Sequence, residues 1–198
     1  MVLLLLVFSS CAPTVYDYLP KKKPIMPSPT LTAPTDNKTI PVAIQPPVPA
    51  PDLSIHEGLD KGDRISDFKF PQYGTGQEIS LYSYLGKKVF INLWSTYCGA
   101  CINDLPTIQD FYISNKDVIV LTICLDGRAD RVDKAMQKYT TESTRWTFPI
   151  LLDEDKILST DYRPWGMPTS YALNEKAVVT NVRVGAFGSI SAIETFCK

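Results

Sequence analysis

The stretch Lys88-Val89-Phe90-Ile91-Asn92-Leu93-Trp94-Ser95-Thr96-Tyr97-Cys98-Gly99-Ala100-Cys101 sets the reading of the whole chain. Its first seven residues form a nearly continuous apolar run, the pattern of a strand covered on both faces. After it, Cys101, Leu105, Ile108, Phe111 and Tyr112 keep a helical spacing. The two cysteines therefore stand at a strand-to-helix turn, three positions apart, where a small-ring disulfide can close. Unpaired backbone N–H groups at a helix start favour a thiolate on the first cysteine. Cys98 is the expected nucleophile toward a partner disulfide, and Cys101, one turn into the helix, the resolving thiol. Structural zinc would need four ligands, and there is no second cysteine pair or nearby histidine. Haem attachment needs His directly after the second cysteine, where Ile102 stands. A peroxidatic Cys98 with Ser95 as hydroxyl partner lacks the proline expected at position 91, which is Ile. An inert structural disulfide is left as the competing reading.

Outward from this stretch, Phe68 and Phe70 face Ile79 and Leu81 across Gly74-Thr75-Gly76, a hairpin signal. Val118 to Leu125 reads as a second buried strand. Val132, Ala135, Met136 and Tyr139 follow as an amphipathic helix. Phe148 to Leu152, Thr169 to Leu173 and Ala177 to Val184 read as further strands. A short last helix spans Ser189 to Cys197, with Ser189 as N-cap and Ile190, Ile193 and Phe196 as its buried stripe. The expected class is α/β: a central mixed β-sheet flanked by helices, with an N-terminal hairpin and a helix-strand insertion at 126–149.

The 198 residues carry a net charge of -1 from 20 Lys+Arg and 21 Asp+Glu, which gives no electrostatic case for nucleic acid. A single histidine, His56, removes His-based triads, haem ligation and His-rich metal sites. Eleven of the 16 prolines fall between Cys11 and His56, and the first glycine is Gly58, so tail and domain are read separately. Residues 1–10 carry the apolar run Val2 to Phe8, far short of the ~20 residues a spanning helix needs but suited to a secretory signal. Ser9-Ser10 before Cys11 resembles the bacterial lipoprotein cleavage site, with Cys11 as the lipid-bearing residue. From Cys11 to His56, Pro46-Pro47 and Pro49-Ala50-Pro51 suggest a semi-rigid polyproline linker, on the order of 100 Å at ~3.1 Å per residue. The folded domain is expected over 57–198.

From about Gly62 onward the chain resembles the thioredoxin superfamily, and within it the TlpA/ResA-like membrane-anchored thiol-disulfide oxidoreductases. Cys98-Gly99-Ala100-Cys101, Pro106 eight residues after Cys98, and Gly166-Met167-Pro168-Thr169 carry the resemblance. It implies a thioredoxin-like fold and a redox-active Cys98/Cys101 disulfide. It also implies a cis Pro168 beside that disulfide, with the Met167 backbone pairing with an extended substrate segment. Tyr97 stands where the family usually has Trp. Trp94 and Tyr97 complete the substrate-facing set, and Trp165 is placed beside the groove or in the core. Asn92 replaces the buried Asp of thioredoxins. Asp104, three residues after Cys101 and on its helix face, is the expected manager of the Cys101 proton, its pKa raised by partial burial.

The resemblance further implies an exported, lipid-anchored enzyme of the cell envelope that needs no cofactor or metal. It would reduce protein disulfides with electrons from a membrane thiol carrier, apocytochrome c being the family's commonest substrate. Two rivals stay open: a disulfide donor in envelope protein folding, and a low-turnover binding module. Cys124 reads as a small buried hydrophobe. Cys197 stands one residue from the end, free or paired.

Overall fold

A computed structural model of the chain describes residues 56–161 and 166–198. Cys11, the expected signal and linker segments up to residue 55, and Trp165 lie outside them. The domain opens with a hairpin, β1 (Lys69–Pro71) against antiparallel β2 (Glu78–Ser80), and then a 3-10 turn at Leu81–Tyr84. There follow β3 (Lys88–Trp94), α1 (Gly99–Ser114), β4 (Val118–Cys124), α2 (Ala129–Tyr139), β5 (Ile150–Leu152) and α3 (Ile157–Asp161). The last elements are β6 (Thr169–Leu173), β7 (Val179–Val184) and α4 (Ile190–Phe196). The five-stranded sheet runs β5-β4-β3-β6-β7; β5, β4 and β3 are parallel, and β6 and β7 are antiparallel to their neighbours.

The apolar run of β3 resolves into two faces because successive side chains in a strand point to opposite sides. Phe90 and Trp94 join Leu105, Ile108 and Phe111 of α1, Val132 and Met136 of α2 and Ile193 of α4 in one core. Val89, Ile91 and Leu93 join Phe68 and Phe70 of the hairpin, Leu81, Leu158 of α3 and Tyr171 in the other. Strand β3 sits between β4 and β6 and has both faces covered, which is why its sequence shows almost no polar alternation.

Two strand starts differ from expectation, each for a local reason. Strand β5 begins at Ile150 rather than Phe148, because the backbone N–H groups of Thr147 and Phe148 donate to Gln109 Oε1 at 2.7 and 3.4 Å. Strand β7 begins at Val179 rather than Ala177, because Ala177 has φ 58° and donates its N–H to Asn174 O at 3.0 Å, closing a turn. The insertion at 126–149 holds α2 but no strand; β5 follows directly and pairs with β4 at the sheet edge. Helix α3 was not expected, and Asp153 explains it: its carboxylate accepts N–H bonds from Leu158 (3.3 Å) and Ser159 (3.0 Å).

Candidate active site

Cys98 and Cys101 are joined in a disulfide, with Cα atoms 5.2 Å apart. Cys98 is the N-cap of α1, and its Sγ accepts the Cys101 N–H at 3.1 Å. The first turn of α1 thus directs one of its unpaired donors at the sulfur, as a helix start requires of its cap. Cys98 is half-buried and Cys101 is 1% exposed, so Cys98 is the residue of the pair that an incoming group can reach. Tyr97, directly before it, is 74% exposed, and the Arg131 guanidinium of α2 lies over its ring at 4.8 Å.

The second wall comes from β6. Leu93 pairs with Thr169, so the residues just before β6 lie at the sheet end where β3 hands over to α1. There the Met167–Pro168 peptide bond is cis. Met167 is exposed and Pro168 buried; Pro168 O accepts the Gly185 N–H at 2.8 Å, and Thr169 Oγ1 donates to Gly166 O at 2.6 Å. The topology therefore places Tyr97, Cys98 and Met167 at one end of the sheet.

Trp94 does not belong to a substrate-facing set. It is the last residue of β3, fully buried and packed edge-on against Trp146 at 5.8 Å, with no surface for a partner to touch. Asp104 is more deeply buried than the sequence suggested, at 2% exposed. Its Oδ1 accepts the N–H groups of Phe187 (2.9 Å) and Gly188 (3.3 Å), while Oδ2 has no hydrogen-bond partner. Burial raises the Asp104 carboxyl above its ordinary range; the two N–H bonds and the Arg183 charge oppose this without cancelling it. Asn92, also buried, donates from Nδ2 to Ser170 Oγ at 2.9 Å.

Sequence reasoning missed Asp126. Its carboxylate accepts the Ser95 hydroxyl (2.7 Å), the Thr96 N–H (2.9 Å) and the Thr96 hydroxyl. Burial pushes this carboxyl up, but the bonds from Thr96 and Ser95 and the Arg131 charge outweigh it and hold it below the ordinary value. A signal was available: Asp126 lies just past the carboxyl end of a central parallel strand, where open α/β sheets gather their sites.

Cys124 and Cys197 are unpaired, and burial pushes both thiols up to about 12, which leaves them protonated and unreactive at neutral pH. Among the described residues no cluster of three or more His, Cys, Asp or Glu could hold a metal.

The sequence pattern of the AhpC/TSA family matches residues 61–182, more than half of the chain. The chain belongs to the AhpC/TSA family. The Thioredoxin-like protein YneN of Bacillus subtilis is 30% identical over 128 residues, 65% of this chain and 74% of YneN. The Thiol-disulfide oxidoreductase ResA of Oceanobacillus iheyensis is 28% identical over 130 residues, 63% of this chain and 65% of that protein. The chain thus spans just under two thirds of that ResA. A solved structure from Chlorobium tepidum, a candidate thiol:disulfide interchange protein DsbE, superposes with a TM-score of 0.57 at 27% identity. That match covers 70% of this chain and 95% of the other. This AhpC/TSA-family chain has a thioredoxin-like fold, and its relatives and its Cys98–Cys101 pair place it among thiol-disulfide oxidoreductases.

Proposed function

We propose that the protein is an exported, lipid-anchored thiol-disulfide oxidoreductase that reduces disulfides in other proteins of the cell envelope. The observation that carries this reading is the asymmetric pair at the start of α1, with Cys98 half-buried beside the exposed Tyr97 and Cys101 buried. In the reduced enzyme the Cys98 thiolate attacks one sulfur of a partner disulfide. A Cys98–partner disulfide forms, and the partner's other sulfur leaves as a thiolate. The Cys101 thiolate then attacks Cys98 Sγ, forming the intramolecular disulfide and releasing the partner's second thiol. Two electrons have passed from the dithiol to the partner.

Asp104 is assigned the proton of Cys101. The thiol is a poor nucleophile until deprotonated, and a buried carboxylate with an unpartnered Oδ2 on the same helix face can take that proton. Met167 presents its backbone to an extended partner segment, Pro168 lies behind it, and Tyr97 supplies an exposed ring. A membrane thiol carrier returns the electrons, and apocytochrome c is the first substrate to test. No helix among the described residues is long and apolar enough to cross a membrane. Attachment in this scheme is through a lipid at Cys11.

The deciding experiment pairs two measurements. C101S should accumulate mixed disulfides through Cys98 with its envelope partners, identified by mass spectrometry. The wild-type potential should lie below about -220 mV; one near -120 mV would assign the protein as a disulfide donor instead. Partner binding retained in C98S, with negligible exchange by wild type, would show a binding module. D104A should flatten the pH dependence of exchange, and an unaltered profile would remove Asp104 from the mechanism.

A further inference from the structure

The turn that delivers Cys98 to α1 is braced from a distance. Cys98 N–H donates to Ser95 O at 3.1 Å, which closes the turn Ser95–Cys98, and Tyr97 N–H donates to Ser95 Oγ at 3.2 Å. That same hydroxyl donates to Asp126 Oδ1, and Thr96 gives both its N–H and its hydroxyl to Asp126 Oδ2. The Ser95 hydroxyl and both the N–H and the hydroxyl of Thr96 therefore end on one carboxylate, about 30 residues away in the chain. Asp126 is itself held. Gly127 has φ 64°, and a Cβ there would lie 2.4 Å from Asp153 O, so the backbone past Asp126 runs hard against the Asp153 carbonyl. Lys156 Nζ donates to Leu125 O and Asp126 O at 3.2 and 3.3 Å. Arg131, which covers the Tyr97 ring, and Lys156 are the charged groups that accompany Asp126 in this cluster.

We propose that Asp126 is a positioning residue for disulfide exchange: by anchoring Ser95 and Thr96 it fixes the turn that holds Cys98 against Cys101. This deepens the exchange function proposed above and rests on it. A sulfur already placed against its partner closes the ring without a fresh loss of orientational freedom. Loosening the turn lowers the effective concentration of Cys98 at Cys101, disfavours the intramolecular disulfide and makes the protein a weaker reductant. Removing the negative charge acts in the same direction, because it takes a carboxylate from the turn next to the thiolate, so bond-deleting variants that keep the charge separate the two causes.

The full chain would be equilibrated in glutathione buffers as wild type, D126A, S95A and T96V, with thermal unfolding recorded for each. Wild type must itself exchange; if it does not, the exchange function fails and the positioning role of Asp126 falls with it. Given exchange, D126A is expected to lower the equilibrium constant for ring closure about tenfold, a potential about 30 mV less negative. S95A, which keeps Asp126 charged, should move it the same way by about threefold, and T96V by less. Ring closure in S95A and T96V within about 1.5-fold of wild type overturns the proposal, even if D126A shifts, because charge alone would then explain D126A. A loss of melting temperature with unchanged ring closure also overturns it, since Asp126 would then only stabilise the fold. Should D126A fail to fold, S95A and T96V decide alone.

Discussion

Asp104, within α1, and Asp126, bonded to the turn before α1, are two carboxylates whose surroundings drive them apart. Asp126 receives three donors and stays ionised. Asp104 receives two through one oxygen and keeps the other bare, so burial wins and its carboxyl is raised. The sign of the consequence follows from linkage. Above the ordinary carboxylate pKa the unfolded chain has lost a proton that native Asp104 still holds. The stability from native Asp104 is therefore fully present below the unfolded value and is lost as pH rises through the raised folded one. The disulfide-bonded D104N protein, whose side-chain oxygen can still accept from Phe187 and Gly188, should lose that part of the pH dependence. Urea midpoints measured between about pH 4 and pH 7 would show it, and an unchanged slope would mean Asp104 titrates normally. The same residue scale marks what the chain could and could not disclose. Cys98, Cys101 and Pro168 were readable because their chemistry is local to a motif. Asp126 showed only its place past a strand end, because its hydrogen-bond partners stand 30 residues away, and Trp94 was misread because adjacency in sequence to a reactive turn says nothing of which face a strand residue takes.

At the scale of elements, α4 is short and depends on its ends. Its seven residues would be marginal alone, and it is fixed by Ile193 and Phe196 in the core and by the Ser189 hydroxyl, which accepts the Ala192 N–H at 3.3 Å. S189A should cost about 1 kcal/mol, the usual loss for a removed N-cap. Chemical denaturation would give the loss, and faster amide exchange confined to α4 would locate it. No change in either would mean packing alone holds the helix. This element was legible because cap and apolar stripe both lie within it. So were β3 and β6, whose runs end where pairing ends. Helix α3 was not, because five residues carry too little periodicity and its capping carboxylate, Asp153, stands outside it. The early start expected for β5 failed for a similar reason: the competitor for its N–H groups, Gln109, belongs to α1.

For the whole molecule, the reactive turn springs from a strand that both cores share. Phe90 lies under α1 and α4, edge-on to Phe111, Phe187 and Phe196 at 5.9, 5.8 and 6.2 Å. Leu81 is 1% exposed in the opposite core, under the hairpin. Because β3 is the common wall, a cavity on either face should weaken one cooperative unit rather than one layer. F90A should cost about 3–5 kcal/mol and L81A about 2–5 kcal/mol, the range for emptied core positions. The informative comparison is L81A, followed by far-UV circular dichroism and by fluorescence. Trp94 and Trp146 both lie in the core away from Leu81. With a single unit, tryptophan emission and far-UV signal shift together to the same lower midpoint. An emission midpoint held at the wild-type value while the far-UV midpoint falls would show that the hairpin layer unfolds by itself. The turn before Cys98 would then be insulated from it. Coincident midpoints mean that damage in the core of Leu81 is carried through β3 to the core that holds Cys101.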